Sequence, residues 1–119
     1  MKLVIIESPY RGDTLENRRY ARRCMRHSVV HCGESPIASH LLYTQPGILD
    51  DSIPLERQLG IEAGLAWSPV ADLHAFYIDR GWSLGMRQAL AFCKRTHQEW
   101  ELRSIEGKPL EEPNDSPQV

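Results

Sequence analysis

The stretch LHAFYIDRGWSLGMRQAL, residues 73–90, has the composition of a strand, a turn and the start of a helix. The apolar run at 73–79 predicts a buried strand that ends at Asp79. The segment at 84–96 predicts a helix, which follows a glycine-containing turn that carries Ser83. Backbone N–H groups at the start of a helix favour anions. The stretch therefore predicts an α/β domain with a phosphate or ribose pocket at this turn.

The remaining predicted elements continue the same alternation of strands and helices. They are a strand at 2–6, a helix at 13–33 that opens on Asp13 with Glu16 in a capping-box pattern, a short strand at 35–39, a loop at 40–54 with a helical turn at 40–44, a helix at 54–67, and a strand at 99–105. Leu55, Leu59, Ile61, Ala63, Leu65 and Ala66 are the expected core positions of the helix at 54–67. This alternation predicts a mostly parallel sheet of four to five strands with helices on both faces.

Composition limits the class of protein. The 119 residues fit one domain, which we place at 1–105, followed by an acidic, proline-rich tail at 106–119 that we expect to be disordered. We find no apolar run near the roughly 20 residues of a membrane span, and the opening apolar run is too short for a signal peptide. The 3 cysteines show no paired spacing, so we expect them to be reduced and the protein to be cytoplasmic.

Ligands of open parallel sheets bind beyond the carboxyl ends of the strands. Three loops should meet there: ESPYRGD after the first strand, SHLLYTQP after the second, and DRGWSLGM after the third. In the first loop, Ser8, Tyr10, Arg11 and Gly12 offer hydroxyls, a guanidinium and close backbone approach to a phosphate or sugar. The alternative for this loop is a tight turn with a surface arginine.

The other two loops carry further candidates. His40, Tyr43 and Gln45 are predicted to close over the ligand, from the same or a neighbouring subunit, although a histidine in such a loop is often structural. In the third loop, Ser83, Gly85 and Met86 present a hydroxyl and backbone amides, and Trp82 is either a platform for a base or a lid over the core.

Carboxylates are the third group of candidates. Glu62 lies among small and apolar residues, so we expect it to be desolvated, with a raised pKa, unless Arg57 or another arginine neutralises it. Glu62 and Asp79 are the candidate ribose ligands and, if the protein is an enzyme, its candidate catalytic groups. Asp50 and Asp51 could hold a ribose or a metal, or simply cap a turn.

Metal and nucleic-acid binding are disfavoured. Cys24, His27 and His31 share a helical face but lack a fourth ligand, so no metal site and no cofactor are predicted. The helix at 13–33 is rich in arginine, but Glu16 and the formal net charge of −2 argue against a nucleic-acid partner.

The blocks VIIESPYRGD, ASHLLYTQPGILDD, ERQLGIEAGLAW and YIDRGWSLGM resemble a family of small phage and bacterial proteins, over about residues 3 to 104. That family is similar to the nucleoside 2-deoxyribosyltransferase-like group. The resemblance implies a Rossmann-like, flavodoxin-like three-layer sandwich, a nucleotide or nucleoside-like ligand bound or cleaved at its N-glycosidic bond, and a homo-oligomer. A phage origin would place the protein in the host cytoplasm.

The chain departs from the group's S-x-G-x-x-x-E pattern at the position of the nucleophile. Ser83 and Gly85 match the pattern, but Ala89 occupies the carboxylate position, and Gln88 faces about 100° away on the helix. A methyl group cannot form a glycosyl ester. Three functions remain: a binder that sequesters a nucleotide signal such as an ADP-ribose derivative, an N-glycosidase or transferase that uses Glu62 or Asp79, and a module that binds a host protein through its arginine-rich helix and acidic tail.

Overall fold

The computed structural model describes residues 1–10 and 14–114. The elements, in chain order, are β1 (Leu3–Glu7), α1 (Thr14–Arg26), a π-helical turn (His27–His31), β2 (Ser35–Ile37), α2 (Ser39–Leu42), α3 (Pro54–Leu65), a 3-10 turn (Ser68–Val70), β3 (Leu73–Tyr77), α4 (Leu84–Thr96) and β4 (Trp100–Arg103). The predicted alternation of strands and helices is confirmed.

The four strands form one parallel sheet in the order β2-β1-β3-β4. The strand that follows β1 in the chain, β2, lies on one side of it, and the next two strands, β3 and β4, lie on the other side. β1 and β3 are therefore neighbours in space but not in sequence. In the register of these two strands, Ile5 is opposite His74, and Glu7 is opposite Phe76. The carboxyl ends of two such central strands are the usual place for a ligand.

Alternate side chains of β1 and β3 enter different cores because a strand has a period of two. Val4, Ile6 and Tyr77 belong to one buried cluster together with Tyr20 and Cys24 of α1. This cluster occupies the layer between α1 and the sheet.

The opposite face of the sheet carries a second buried cluster. There Phe76 and Ile78 pack against Met86, Leu90 and Cys93, which lie on the inner stripe of α4. With α1 on one face and α4 on the other, the predicted three-layer α/β sandwich is confirmed.

Helix α3 differs from the prediction. The expected core positions on this helix are wrong, because none of its residues is buried. Leu55 is 71% exposed and Leu59 is 47% exposed. Helix α3 packs mainly against α2, where Gly64 contacts Ser39. A gap therefore remains between α3 and the second core.

The first helical segment ends at Gly33, as predicted, but its last turn is not α-helical. It is regular only to Arg26, and a π-helical turn follows before Gly33, which takes a positive φ of 65°. The capping residue predicted at position 13 lies outside the described residues. Gly33 ends the segment in the left-handed conformation that glycine favours.

The tail is described as far as Asn114. The Glu106 side chain accepts hydrogen bonds from Arg80 and Arg23, and Lys94 forms an ion pair with Glu112 at 2.6 Å. Residues 106–114 thus contact the domain. A domain boundary at residue 105 and a disordered tail stay predictions.

Candidate functional site

A cavity of about 550 Å³ lies between α3 and α4, over the sheet face that carries Ile5 and Glu7 of β1 and His74 of β3. Its size is in the range of small-molecule sites. The floor includes Ile5 of β1, and its two walls include Ile61 of α3 and Phe92 of α4. A second depression, over the loop that precedes α3, shares five lining residues with this cavity: Tyr10, Thr44, Leu49, Asp51 and Glu56.

The three loops named from the sequence meet at this cavity. Seven of the predicted ligand-binding residues line it: Ser8, Tyr10, His40, Tyr43, Ser83, Gly85 and Met86. Arg11 and Gly12 lie outside the described residues. Gln45 is absent from the lining, and its side-chain amide instead donates to the carbonyl of Leu41 at 2.6 Å.

Ser8 and His40 form a polar pair in the cavity wall. Ser8 Oγ lies 2.8 Å from His40 Nε2, and the ring of Tyr10 meets the imidazole edge-on at 5.9 Å between centroids. Burial lowers the pKa of His40 to about 4. The imidazole is therefore uncharged at neutral pH and has one hydrogen-bond donor and one acceptor.

The turn after β3 is shaped by Ser83. This residue caps α4, because its Oγ accepts a hydrogen bond from the backbone N–H of Met86 at 3.2 Å. Trp82 stacks on Phe76 at 5.4 Å between ring centroids, and its indole N–H donates to the carbonyl of Glu111. Since Trp82 does not line the cavity, it is a lid over the core rather than a platform for a base.

The expected desolvation of Glu62 is wrong. Glu62 is exposed, it does not line the cavity, and its carboxylate accepts a long hydrogen bond of 3.5 Å from Gln58. No ion pair joins it to Arg57 in the described part of the chain. The cause is the outward position of α3, which leaves this face of the helix in solvent.

Asp79 has a structural role. Its carboxylate accepts hydrogen bonds from the hydroxyls of Tyr20 and Ser104 and from the backbone N–H groups of Ile105 and Glu106. Burial raises the pKa of Asp79, but these hydrogen bonds outweigh burial and lower it to about 2. Asp79 does not line the cavity, and it joins the end of β3 to α1 and to the segment after β4.

A polar group that sequence reasoning missed lies on the cavity floor. Glu7 Oε2 is 3.0 Å from His74 Nδ1, and His74 Nε2 is 2.8 Å from Ser68 Oγ. Glu7 and His74 both line the cavity, whereas Ser68 is fully buried behind them. The signal was present as a histidine within an otherwise apolar buried strand, LHAFY, and a glutamate at the end of the opening strand.

The carboxyl group of Glu7 is partly withdrawn from solvent, with its side chain 20% exposed. Burial raises its pKa, although the hydrogen bond from His74 opposes the increase. Glu7 lines the cavity, and only its Oε2 has a hydrogen-bond partner among the described residues, so Oε1 is free to accept a hydrogen bond.

Charged side chains stand around the cavity. Arg57 of α3 and Arg95 of α4 line it, and within the described residues neither forms an ion pair with a carboxylate. Asp51 lines it as well, while Asp50 accepts hydrogen bonds from the backbone N–H and hydroxyl of Ser52, as a turn residue does.

The sequence predicts no metal site on the helix that carries Cys24, His27 and His31. In the structure Cys24 is buried, and His27 Nδ1 lies 2.9 Å from the Tyr77 hydroxyl. Residues 1–10 and 14–114 hold no group of 3 or more side chains placed to bind a metal ion.

Residues 2–103 match the family model Domain of unknown function (DUF7768). The chain belongs to this family. No curated protein matches the chain. A similar solved structure is that of a 2-deoxyribosyltransferase from the psychrotolerant bacterium Bacillus psychrosaccharolyticus, at 14% sequence identity and a TM-score of 0.68, over 92% of this chain and 77% of that chain. This likeness confirms the fold.

Two further observations concern this DUF7768 chain. Ala89 lines the cavity and is 8% exposed, so the helical position that follows Gly85 by one turn faces the site. Among the helices described, none is long and apolar enough to cross a membrane.

Proposed function

We propose that this chain binds a nucleoside or nucleotide derivative in the cavity between α3 and α4. The observation that carries the proposal is the meeting of the three predicted loops around one cavity of about 550 Å³. The fold shared with a 2-deoxyribosyltransferase supports a nucleoside-like ligand. A cavity of this size accommodates a base, a sugar and a phosphate.

The two sides of the cavity suit the two parts of such a ligand. Ile61, Leu65 and Phe92 form apolar walls for the flat face of a base. The Ser8–His40 pair provides hydrogen-bonding groups for sugar hydroxyls.

The charge around the cavity favours a phosphorylated ligand. Arg57 and Arg95 contribute two guanidinium groups without a carboxylate partner among the described residues. Guanidinium groups bind phosphate through paired hydrogen bonds. We therefore favour a nucleotide over a free nucleoside.

Without turnover in this cavity, the chain would retain such a ligand and sequester a signal of the ADP-ribose type, as a phage protein would in its host. The support for retention is Ala89, which gives the site no carboxylate at the position of the group's nucleophile. The glycosidase alternative that uses Glu62 or Asp79 has no support from the geometry, because neither residue lines the cavity. The alternative of a host-protein module is weakened, since Arg23 of the arginine-rich helix forms an ion pair with Glu106 of the tail at 2.9 Å.

We also propose that the chain forms a homo-oligomer through α3. Leu55 and Leu59 are exposed on the face of this helix that points away from the cavity, and such a surface favours burial against another copy. Light scattering on the purified protein should give at least a dimer, and Leu55→Glu should dissociate it. A wild-type monomer at micromolar concentration would contradict this proposal.

Native mass spectrometry tests the binding proposal directly. The purified protein is incubated with adenosine, deoxyadenosine, AMP, NAD, ADP-ribose and cyclic ADP-ribose. We expect at least one phosphorylated member to bind at a fixed ratio to protein, and Arg95→Gln to weaken that binding about tenfold, or about 1.4 kcal/mol. The matched control is Arg87→Gln on the same helix, because Arg87 donates to the carbonyl of Asn114 and does not line the cavity. No binding by any member would overturn the proposal.

A further inference from the structure

We propose that the cavity is catalytic and that Glu7, on its floor, is the general base of an N-glycoside hydrolase. This inference rests on the proposed function, since it requires a nucleoside or nucleotide in the cavity. It assigns a role to a residue on β1, whereas the sequence pattern and the family resemblance point to a carboxylate on α3, on α4 or at the end of β3.

Glu7 has the position of a catalytic group. It is the last residue of β1, one of the two central strands, it lines the cavity, and its Oε1 has no partner among the described residues. It lines the same cavity as Ala89, the position at which the resemblance led us to expect a carboxylate. Asp51 and Glu56 also line the cavity, but Glu56 already accepts a hydrogen bond from the backbone N–H of Asp50 at 2.9 Å.

Two buried residues hold the Glu7 carboxylate in place from the side away from the cavity. The side chains of His74 and Ser68 are 1% and 0% exposed, and they form an unbroken line of hydrogen bonds that ends at Glu7. With His74 donating through Nδ1 to an ionised Glu7, its Nε2 accepts from the Ser68 hydroxyl. This line holds Oε2 and leaves Oε1 available to a water molecule or a ligand in the cavity.

The pair is not needed for packing. His74 lies in β3, where every residue is buried, and replacing both members of a buried polar pair together by apolar side chains is often neutral or stabilising. Perturbed, supported carboxyl groups in a cavity are typical of functional sites. Packing alone gives no reason for a glutamate and a histidine at these two positions.

The chemical step needs only water as co-reactant. Glu7 Oε1 accepts a proton from a water molecule, whose oxygen forms a bond to the anomeric carbon of the ligand. The bond from that carbon to the base nitrogen breaks, and its electron pair leaves with the base. The base nitrogen takes up one proton and Glu7 releases the one it received, so the products are the free base and the sugar. Proton transfer of this kind contributes about 10²- to 10⁴-fold to a rate.

The test measures binding and free-base release on the same samples. Wild type, Glu7→Gln and Glu99→Gln are incubated with the six compounds used for the binding proposal, and bound ligand and released base are quantified by mass spectrometry. Glu99 is the matched control because it is exposed and does not line the cavity. We expect wild type and Glu99→Gln to release base, and Glu7→Gln to bind the same compound with kcat at least about 100-fold lower and KM little changed.

The two proposals fail in distinguishable ways. Binding by wild type without release of base from any compound overturns catalysis and leaves the binding proposal in place, with the sequestering role. Release by Glu7→Gln at the wild-type rate overturns the role of Glu7. An absence of binding and of release overturns the proposed function and this inference together. Should Glu7→Gln not fold, Glu7→Asp shortens the side chain by one methylene, and it should lower kcat more than it raises KM.

His74 is a positioning residue in this account. His74→Phe should lower kcat by about tenfold with KM retained, because it removes the donor that orients Glu7. His74→Gln, which keeps a side-chain N–H donor, should recover most of that loss. Equal kcat values in the two variants would show that His74 does not act through a hydrogen bond to Glu7.

Discussion

Gly64 of α3 lies directly against Ser39 of α2. A Cβ at position 64 would be 2.7 Å from Ser39 Oγ and 2.8 Å from Ser39 Cβ, closer than side chains approach one another. Since α3 has no buried residue, this contact is a principal constraint on where the helix stands and how wide the cavity is.

Gly64→Ala should therefore displace α3. We expect a loss of about 1 to 3 kcal/mol in the free energy of unfolding from the forced contact, and weaker ligand binding. The matched control is Gly60→Ala on the same helix, where the nearest atom is the Leu49 Cδ1 at 3.4 Å and helix propensity favours alanine. Urea unfolding of both variants checks this, and equal stabilities would contradict the constraint.

The buried imidazole of His40 should make stability depend on pH. Its folded-state pKa of about 4 lies below the ordinary value of 6.5, so between these values the unfolded chain binds more protons. The stability that His40 contributes is complete above pH 6.5 and is lost as the pH falls toward 4.

The measurement is urea unfolding of wild type and His40→Asn at pH 7 and pH 5. Wild type should lose more stability than the variant, with a difference on the order of 1 kcal/mol. Identical pH dependence in the two proteins would show that burial does not shift the pKa of His40.

The ion pair between Glu34 and Arg103 should be essential for stability. The guanidinium donates to both carboxylate oxygens at 2.8 and 2.7 Å, and the two side chains are 9% and 7% exposed. Glu34→Ala leaves a buried charge without its main partner and should cost about 3 to 5 kcal/mol. The double variant with Arg103→Met should cost clearly less than the sum of the two single variants.

An exposed ion pair supplies the control. Lys94 and Glu112 are 2.6 Å apart but about half exposed, at 50% and 48%. Lys94→Met should change the free energy of unfolding by less than about 1 kcal/mol, because solvent screens such pairs. A similar cost at both sites in thermal or urea unfolding would contradict the distinction.

Ser83 should serve both the helix and the ligand. Ser83→Ala removes the cap of α4 and should cost about 1 kcal/mol of stability. Ser83→Asp keeps a capping oxygen and should retain stability, but its charge should weaken binding of AMP or ADP-ribose relative to Ser83→Asn. Calorimetric binding and thermal unfolding of the three variants separate the two roles. Equal affinities for Ser83→Asp and Ser83→Asn would show that Ser83 does not lie beside the phosphate of the ligand.

The sequence was sufficient for the parts of the structure that depend on local pattern. The β-branched run before Glu7 and the apolar run before Asp79 predicted two parallel strands, and the helix at 84–96 was predicted with its correct bounds. The meeting of the three loops at one edge of the sheet follows from the parallel topology alone.

The parts that failed depend on packing between distant elements. The small residues around Glu62 indicated burial, but the position of α3 is set by the contact of Gly64 with Ser39, which no local pattern shows. Hydrogen bonds join Ser68 to His74 and His74 to Glu7. The last two residues are 67 positions apart in the sequence, so only the folded sheet brings them together.

Isothermal titration calorimetry of the wild-type protein with ADP-ribose, beside Ala89→Met, is the most direct test of the cavity as a nucleotide site. Ala89 lines the cavity, so a methionine there would occupy its volume. The account predicts saturable binding by wild type with about one site per chain, and loss of that binding in the variant. Equal affinities in the two proteins would place the ligand elsewhere and contradict the account, as would the absence of heat in wild type across AMP, NAD and ADP-ribose.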